Sequence, residues 1–469
     1  MKKDIFISTT LPYANSTPHI GHTLEFVQAD ALNRFFKTKT YTFFNIGLDE
    51  HGQKVYDSAL KDKTSIEDYL DNLSDDWLYF CEIFNIEYDK FYRTSSTEHK
   101  TKVKEYWNKL LEKGDIYLKS YTSKYCKGCE SFKTDKDLHF NICLDHPTLK
   151  IETVSEENYF FKLSNYKEDI KNYLTHNKGF LNPKNKDLEL FDLIENSTDI
   201  SISRLKKSVK WGITCPSDEN QVIYVWFEAL LNYLFSIGED NWSDFLTIQL
   251  CGPDNIRFEG LILQAIFKAG DVDFTNYLLV HGTILDIDGS KMSKSSNNVI
   301  SPFDQFNKYG DSAIRLYLLT QLSQYSNSSY NEEDLISFYN SFLCNEFGNL
   351  LTRTLHLIDI KNITIVEPSD ELKEETYKEV QKYDYYFSNF NLQASFNIVH
   401  KLVKQANQTL NNEKPWSKEC LNPDYSINKV YYLVCKITDL LNPFIPSEIY
   451  KIEKALHFKK KVNLFKRIE

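Results

Sequence analysis

Apolar residues follow two different periods along this chain of 469 residues, and the switches between them outline its elements. Residues 4–9 form a short run of β-branched and aromatic side chains, the pattern of a buried strand. Leu24, Val27, Ala31, Leu32 and Phe35 then recur at helical spacing, so the order is strand, tight loop, helix. Residues 41–46 read as a second strand that runs into Gly47 and Asp49. Residues 53–114 read as helical, with Trp77, Leu78, Phe80, Phe84, Trp107, Leu110 and Leu111 supplying core. A mixed, charged stretch occupies 157–211, after which strand patterns resume at 222–226, 245–250 and 277–282. Strands alternating with helical stretches predict an α/β fold with a parallel sheet. Near the carboxyl end, Leu343, Phe347, Leu350, Leu351, Thr354 and Ile358 recur at helical spacing and further apolar helices follow, the pattern of a helical bundle.

Composition narrows the reading. The length suggests about three domains, and 42% hydrophobic content is ample for real cores. The net charge of −11 means that a nucleic-acid partner has to be met by a local basic surface, since the field of the whole molecule repels it. Nine cysteines are an odd number, no signal peptide is apparent, and no apolar stretch is long enough to span a bilayer. A reducing, cytoplasmic compartment without membrane attachment is expected.

Candidate chemistry gathers at strand ends. In the loop after the first strand, His19 and His22 stand three apart at a helix start, on one face, beside backbone N–H groups expected to be free and the positive end of the helix dipole. That is a place to hold a triphosphate. Asp49 lies at the mouth of the second strand, where open α/β sheets put ligand-binding groups, and its carboxylate suits a substrate ammonium. Gly252 and Asp254 repeat the combination of glycine and carboxylate after residues 245–250. After residues 277–282, Lys291 and Lys294 sit in a Gly/Ser-rich loop, two mobile cations able to close over phosphates. Cys126, Cys129, Cys143 and His146 form two tight pairs separated by a loop, the spacing of a closed, structural tetrahedral zinc site. His51, His99, His139, His176, His281, His356, His400 and His457 have no partner that spacing reveals and read as surface or satisfied core residues.

Taken together, His19-Ile20-Gly21-His22 and Lys291-Met292-Ser293-Lys294-Ser295 resemble the two signatures of the class I aminoacyl-tRNA synthetases. Leu11 to Asn15, Gly47 to Gln53, Tyr224-Val225-Trp226, Ser201 to Arg204 and the Cys/His knuckle are similar to the methionyl-tRNA synthetase family within that class. The resemblance implies a Rossmann-type doubly wound sheet, residues 1–114 and 216–299, split by a zinc-knuckle insertion at 115–215. A stem-contact segment at 300–335 and a helical anticodon-binding domain at 336–469 complete it. It further implies methionine–tRNA ligase activity, in which the amino-acid carboxylate attacks the α-phosphate of ATP. His19 and His22 stabilise charge on the phosphate oxygens, and Lys291 and Lys294 neutralise the departing pyrophosphate. Gly21, Gly252, Asp254, Ser293 and Ser295 are implied for ATP, which brings Mg2+. Leu11, Tyr13, Asp49, Trp226, Ala229, Tyr233, Phe258 and Glu259 are implied for the amino acid, and Asn349, Arg353 and Trp416 for the tRNA anticodon. The short insertion leaves no room for a large editing domain, and the chain stops after the bundle, which predicts a monomer.

The side-chain pocket departs from the family. Methionyl enzymes carry a Phe-His pair and then Trp-Pro, where this chain has Phe258-Glu259 and Leu263-Gln264, and Glu228, Leu230 and Asn232 stand where Asp, Pro and Gly are expected. On helical spacing Glu259 and Leu263 face one volume, and an unpaired buried carboxylate costs several kcal/mol, roughly. Either Glu259 turns outward or pairs with Arg257 and methionine still binds, or a cationic or hydrogen-bond-donating amino acid repays the cost in a paralogue of altered specificity. A catalytically silent tRNA-binding protein is the third reading.

Overall fold

The computed structural model describes residues 3–129, 131–133, 138–292 and 298–469. It divides into two compact units, one of Met1–Thr17, Asn45–Asp76 and Asp89–Val280, the other of Pro18–Phe44, Trp77–Tyr88 and His281–Glu469.

The first unit is built on a six-stranded sheet in the order Lys90–Arg93, Thr42–Leu48, Asp4–Ser8, Phe245–Cys251, Tyr277–Val280, Leu181–Asn182. Its registered pairs are parallel, Ile5 lying opposite Leu246 and Gly47 opposite Tyr92. Ile5, Phe6, Ile7, Ile248, Leu250, Leu278, Leu279 and Val280 are all buried, as strands covered on both faces require. Glycine is obligatory at position 47, because a Cβ there would lie 2.0 Å from the Tyr92 carbonyl oxygen. Strand order reverses between Asp4–Ser8 and Phe245–Cys251, and at such a switch point the carboxyl ends diverge and leave a crevice for ligands.

Two expectations about local structure are corrected. The stretch read as helical from 53 contains the edge strand Lys90–Arg93 between the helices Ile66–Ile83 and Thr97–Glu112. Four residues with charged ends carry no periodicity of their own, and only pairing with the neighbouring strand identifies them. Residues 222–226 are not one strand: Asp218–Ile223 is the centre of a small antiparallel sheet, and the chain turns helical at Val225. A short β-branched run suits a buried strand and a buried helical turn equally.

Between the two halves of the sheet lies an antiparallel insertion whose long strands, Ile116–Cys126 and Glu152–Phe161, pair from Ile116 opposite Phe161 to Tyr125 opposite Glu152. Cys126 therefore sits at the far tip of this ribbon.

The second unit holds the helix Ile20–Lys37, the helix Pro302–Thr320 and a carboxyl-terminal bundle. The bundle comprises Asn349–Lys361, Asp370–Ser388, Leu392–Glu413, Pro423–Leu441 and Pro446–Phe458. Leu343, Phe347, Leu350, Leu351, Thr354 and Ile358 are buried, as their spacing predicts. Ser369, Asn391 and Asn422 cap three of these helices by accepting from backbone N–H groups, each worth about 1 kcal/mol. At the centre of the unit, the fully buried Arg315 donates to Asp30 Oδ2 (2.6 Å) and to the carbonyls of Phe84 (2.8 Å), Pro443 (2.9 Å) and Phe444 (3.3 Å). Asp30 also accepts from Arg34 Nε and Glu87 N, so one ion pair joins four separate segments. Asp30→Ala strands the Arg315 guanidinium without its counter-charge, and denaturant unfolding is expected to show a loss of about 3–5 kcal/mol. A loss below about 1 kcal/mol would show that the joint is dispensable.

Candidate active site and metal centre

In the first unit the loop after Asp4–Ser8 meets the end of Thr42–Leu48. Tyr13 and Asp49 form a parallel bridge, in which Ala14 N donates to Asp49 O (2.7 Å) and Asp49 N to Pro12 O (3.0 Å). Leu11 and Tyr13 stay half-buried, whereas Asp49 is 3% exposed. A second cluster gathers around the helical turn at Val225: Trp226 stacks on Phe258 with ring centroids 4.0 Å apart and 17° between planes. Ala229 and Tyr233 are buried beside it in sequence. Trp226 and Phe258, together with Lys54, Arg204, Asp254 and Arg257, line a cleft of about 880 Å³ that extends to the metal cluster. Gly252 and Asp254 follow the strand Phe245–Cys251, at the expected crevice.

Glu259 neither turns outward nor pairs with Arg257. It is buried, and the Tyr233 hydroxyl donates to its Oε1 at 2.6 Å, a short bond. The surrounding chain is π-helical from Arg257 to Ile262, so the step to Leu263 is not an ordinary helical turn. Gln264 serves that irregular segment, donating to Glu259 O (2.8 Å) and to Thr275 Oγ1 (3.1 Å) and accepting from Thr275 N (3.0 Å).

Several of the histidines that spacing left without partners are satisfied core residues, as expected, and the structure supplies the partners. His51 and His99 both bind Glu228, His281 Nε2 lies 3.0 Å from Glu25, and His400 Nε2 lies 2.6 Å from Glu346. Glu228 is 177 residues from His51, and no local signal reports a pair so far apart.

Cys126, Cys129, Cys143 and His146 converge, with ligand atoms all within 4.8 Å of one another. Cys129 Sγ lies 3.5 Å from Cys143 Sγ and 3.2 Å from His146 Nδ1. Ligands on one tetrahedral ion at thiolate and imidazole bond lengths stand about 3.5–3.8 Å apart, so these four fit a metal. The packing fits as well: a Cβ on Gly128 would lie 2.3 Å from the His146 ring. Four ligands close the coordination sphere and leave no position for substrate.

In the second unit, His19 is the N-cap of Ile20–Lys37, and the donors expected to be free are not. His19 Nδ1 accepts from Gly21 N (3.1 Å) and His22 N (3.3 Å), His22 Nδ1 accepts from His19 N (3.2 Å), and Ile20 N donates to Ile300 O. The two rings stack at 3.6 Å. Because each Nδ1 accepts, each neutral ring carries its proton on Nε2. A phosphate here is met by imidazole N–H donors and the helix dipole, not by the backbone. Lys291 is exposed and bridges back to Leu285. The loop's entry and exit are joined at Asp286, whose carboxylate accepts from Asn298 Nδ2, Ser290 N, Ser290 Oγ and Asp288 N. Those hydrogen bonds, Asn298 and Ser290 foremost, hold the Asp286 carboxyl below its ordinary value. Ser293, Lys294 and Ser295 lie outside the described residues.

In the bundle, the Arg353 guanidinium stands 5.1 Å over the Trp416 ring, and Trp416 is 47% exposed, so it is not a core aromatic. Asn349 lies one turn before Arg353, exposed on the same helix. Among the described residues no helix is long and apolar enough to cross a membrane.

The model of the family of class I tRNA synthetases (M) matches residues 5–143 and 140–355. The methionine–tRNA ligase of Fusobacterium nucleatum is 32% identical over 99% of this chain and 76% of its own length. That of Ureaplasma parvum is 30% identical over 97% and 92%. The solved structure of Mycobacterium tuberculosis methionyl-tRNA synthetase in complex with methionyl-adenylate superposes with a TM-score of 0.89 at 26% identity, covering 96% of this chain and 93% of that one. With these likenesses and the arrangement of its site residues, the chain belongs to the methionyl branch of the class I aminoacyl-tRNA synthetases.

Proposed function

We propose that this chain activates methionine with ATP and transfers it to the 3′ end of a tRNA. The reading rests on relatives named for that ligation and a neighbour solved with methionyl-adenylate. Those relatives carry methionine over a cationic amino acid, and the Tyr233–Glu259 bond agrees with them, since one oxygen of the buried Glu259 is met by a donor from its own chain and needs none there from the substrate.

Asp49 takes the amino-acid ammonium, and Leu11, Tyr13, Trp226, Ala229, Tyr233 and Phe258 take its body. His19 and His22 donate from Nε2 to the phosphate oxygens as charge builds there, while Lys291 and Lys294 draw off pyrophosphate. Gly21, Gly252, Asp254, Ser293 and Ser295 hold the nucleotide, which enters with Mg2+. Catalysis is then positioning and electrostatics, with no covalent enzyme intermediate. Asn349, Arg353 and Trp416 read unpaired anticodon bases, the stacked guanidinium and indole offering edge donors and a π-face. The Cys126, Cys129, Cys143 and His146 set suits zinc, which supplies folding energy to the tip of the insertion and no chemistry. We assign 1–114 and 216–299 to catalysis, 115–215 to the insertion, whose strand Leu181–Asn182 returns to the edge of the parallel sheet, 300–335 to the tRNA stem and 336–469 to the anticodon. A cytoplasmic location belongs to the same proposal.

ATP–pyrophosphate exchange across a panel of amino acids tests the reading, with methionine-dependent exchange expected. Exchange with a different amino acid alone would assign the chain to a paralogue, and no exchange beside tight tRNA binding would make it a silent binder. His19→Asn should lower kcat of exchange about 10²–10³-fold. Arg353→Ala should leave exchange intact and raise the KM for tRNA about tenfold or more in charging assays. Gly128→Ala, whose methyl enters the His146 ring, should lower bound zinc from one per chain and reduce the melting temperature, as read by elemental analysis and calorimetry.

A further inference from the structure

The first unit buries a chain of polar side chains that no step above uses. The Tyr92 hydroxyl lies 3.0 Å from His99 Nδ1, His99 Nε2 lies 2.6 Å from Glu228 Oε2, and Glu228 Oε1 lies 2.9 Å from His51 Nδ1. All four residues are 3% exposed or less. One placement of protons satisfies every link: Tyr92 O–H donates to His99 Nδ1, while His99 donates from Nε2 and His51 from Nδ1 to the two oxygens of an ionised Glu228. Burial alone would push the Glu228 carboxyl up, but the His51 and His99 imidazoles against it hold it below the ordinary carboxylate range.

What the carboxylate joins gives it a role. His51 lies two residues after Asp49, in a segment held by Gly52 N donating to Trp211 O (2.9 Å) and Trp211 Nε1 donating to Glu50 O (2.7 Å). Glu228 lies between Trp226 and Ala229, on a turn whose Ala229 carbonyl accepts from Asn232 Nδ2 (2.7 Å). Asn232 in turn accepts from Asn45 on the strand that leads to Asp49 (3.0 Å). His99 anchors the arrangement to the helix Thr97–Glu112. The two groups assigned to grip opposite ends of the amino acid, Asp49 and Trp226, thus belong to segments tied through one buried carboxylate.

We propose that Glu228 is a positioning residue for amino-acid binding, acting through His51 on the segment of Asp49 and through its own turn on Trp226 and Ala229. The proposal rests on the activation reading above. Glu228 touches no substrate and sets the spacing between groups that do. Its loss therefore shows in amino-acid affinity before it shows in the chemical step.

Exchange kinetics of the full chain separate the two claims: the response of the unaltered enzyme to methionine tests the activation reading, and the ratio of variant to unaltered enzyme tests this one. Glu228→Gln sets an amide NH2 against an imidazole N–H. It is expected to raise the KM for methionine about tenfold, with KM for ATP and kcat moving less than about threefold. Glu228→Asp keeps the charge and should recover part of the loss. Tyr92→Phe, which removes only the terminal hydroxyl, should shift the methionine KM in the same direction by about two- to threefold. An unchanged methionine KM in Glu228→Gln overturns the proposal, as does a parallel loss in both KM values and kcat, the signature of a merely structural residue. Should Glu228→Gln fail to fold, Tyr92→Phe is judged by the same split.

Discussion

Buried carboxylates need partners, and supplying those partners from the chain itself is the constraint on which this structure depends. An unpaired charge in the interior costs far more than any single contact contributes. Asp30 is met by Arg34 and Arg315, Glu228 by His51 and His99, Glu50 by Arg93 and Ser95, Glu259 by Tyr233 and Glu25 by His281. Apart from Arg34, one helical turn from Asp30 on the same helix, each partner comes from another segment of the chain, so these bonds hold together what hydrophobic burial, which has no direction, only gathers.

The same economy governs the start of the helix Ile20–Lys37. His19 and His22 spend one nitrogen each on closing their own helix and thereby fix which nitrogen carries a proton. Capping and donation are compatible because an imidazole has two distinct faces toward hydrogen bonds, one accepting and one donating. The stacking of the two rings holds them face to face at the helix start.

Much of the fold was legible from pattern, and the exceptions share a cause. The buried strands at Asp4–Ser8 and Phe245–Cys251, the helix after His19 and the bundle helices all announce themselves by period, because each is long enough to express one. Lys90–Arg93 and the turn at Val225 do not, because four residues fit several conformations and their neighbours choose among them. The metal ligands were legible because two pairs and a loop encode their own convergence. The partners of His51, His99 and Glu259 were not.

By itself the sequence determined the chemistry on offer: twin imidazoles at a helix start, a lysine-rich loop, a four-ligand knuckle, a guanidinium and an indole in a bundle. Those are local, set by residue type and short spacing. Tertiary structure alone decided that Glu259 Oε1 is met by the Tyr233 hydroxyl, that Glu228 joins His51 to His99, and that Trp416 lies half in solvent under Arg353. Hydrogen bonds and charge pairs act over a few ångströms in space and are indifferent to distance along the chain, so their partners exist only once the chain has folded.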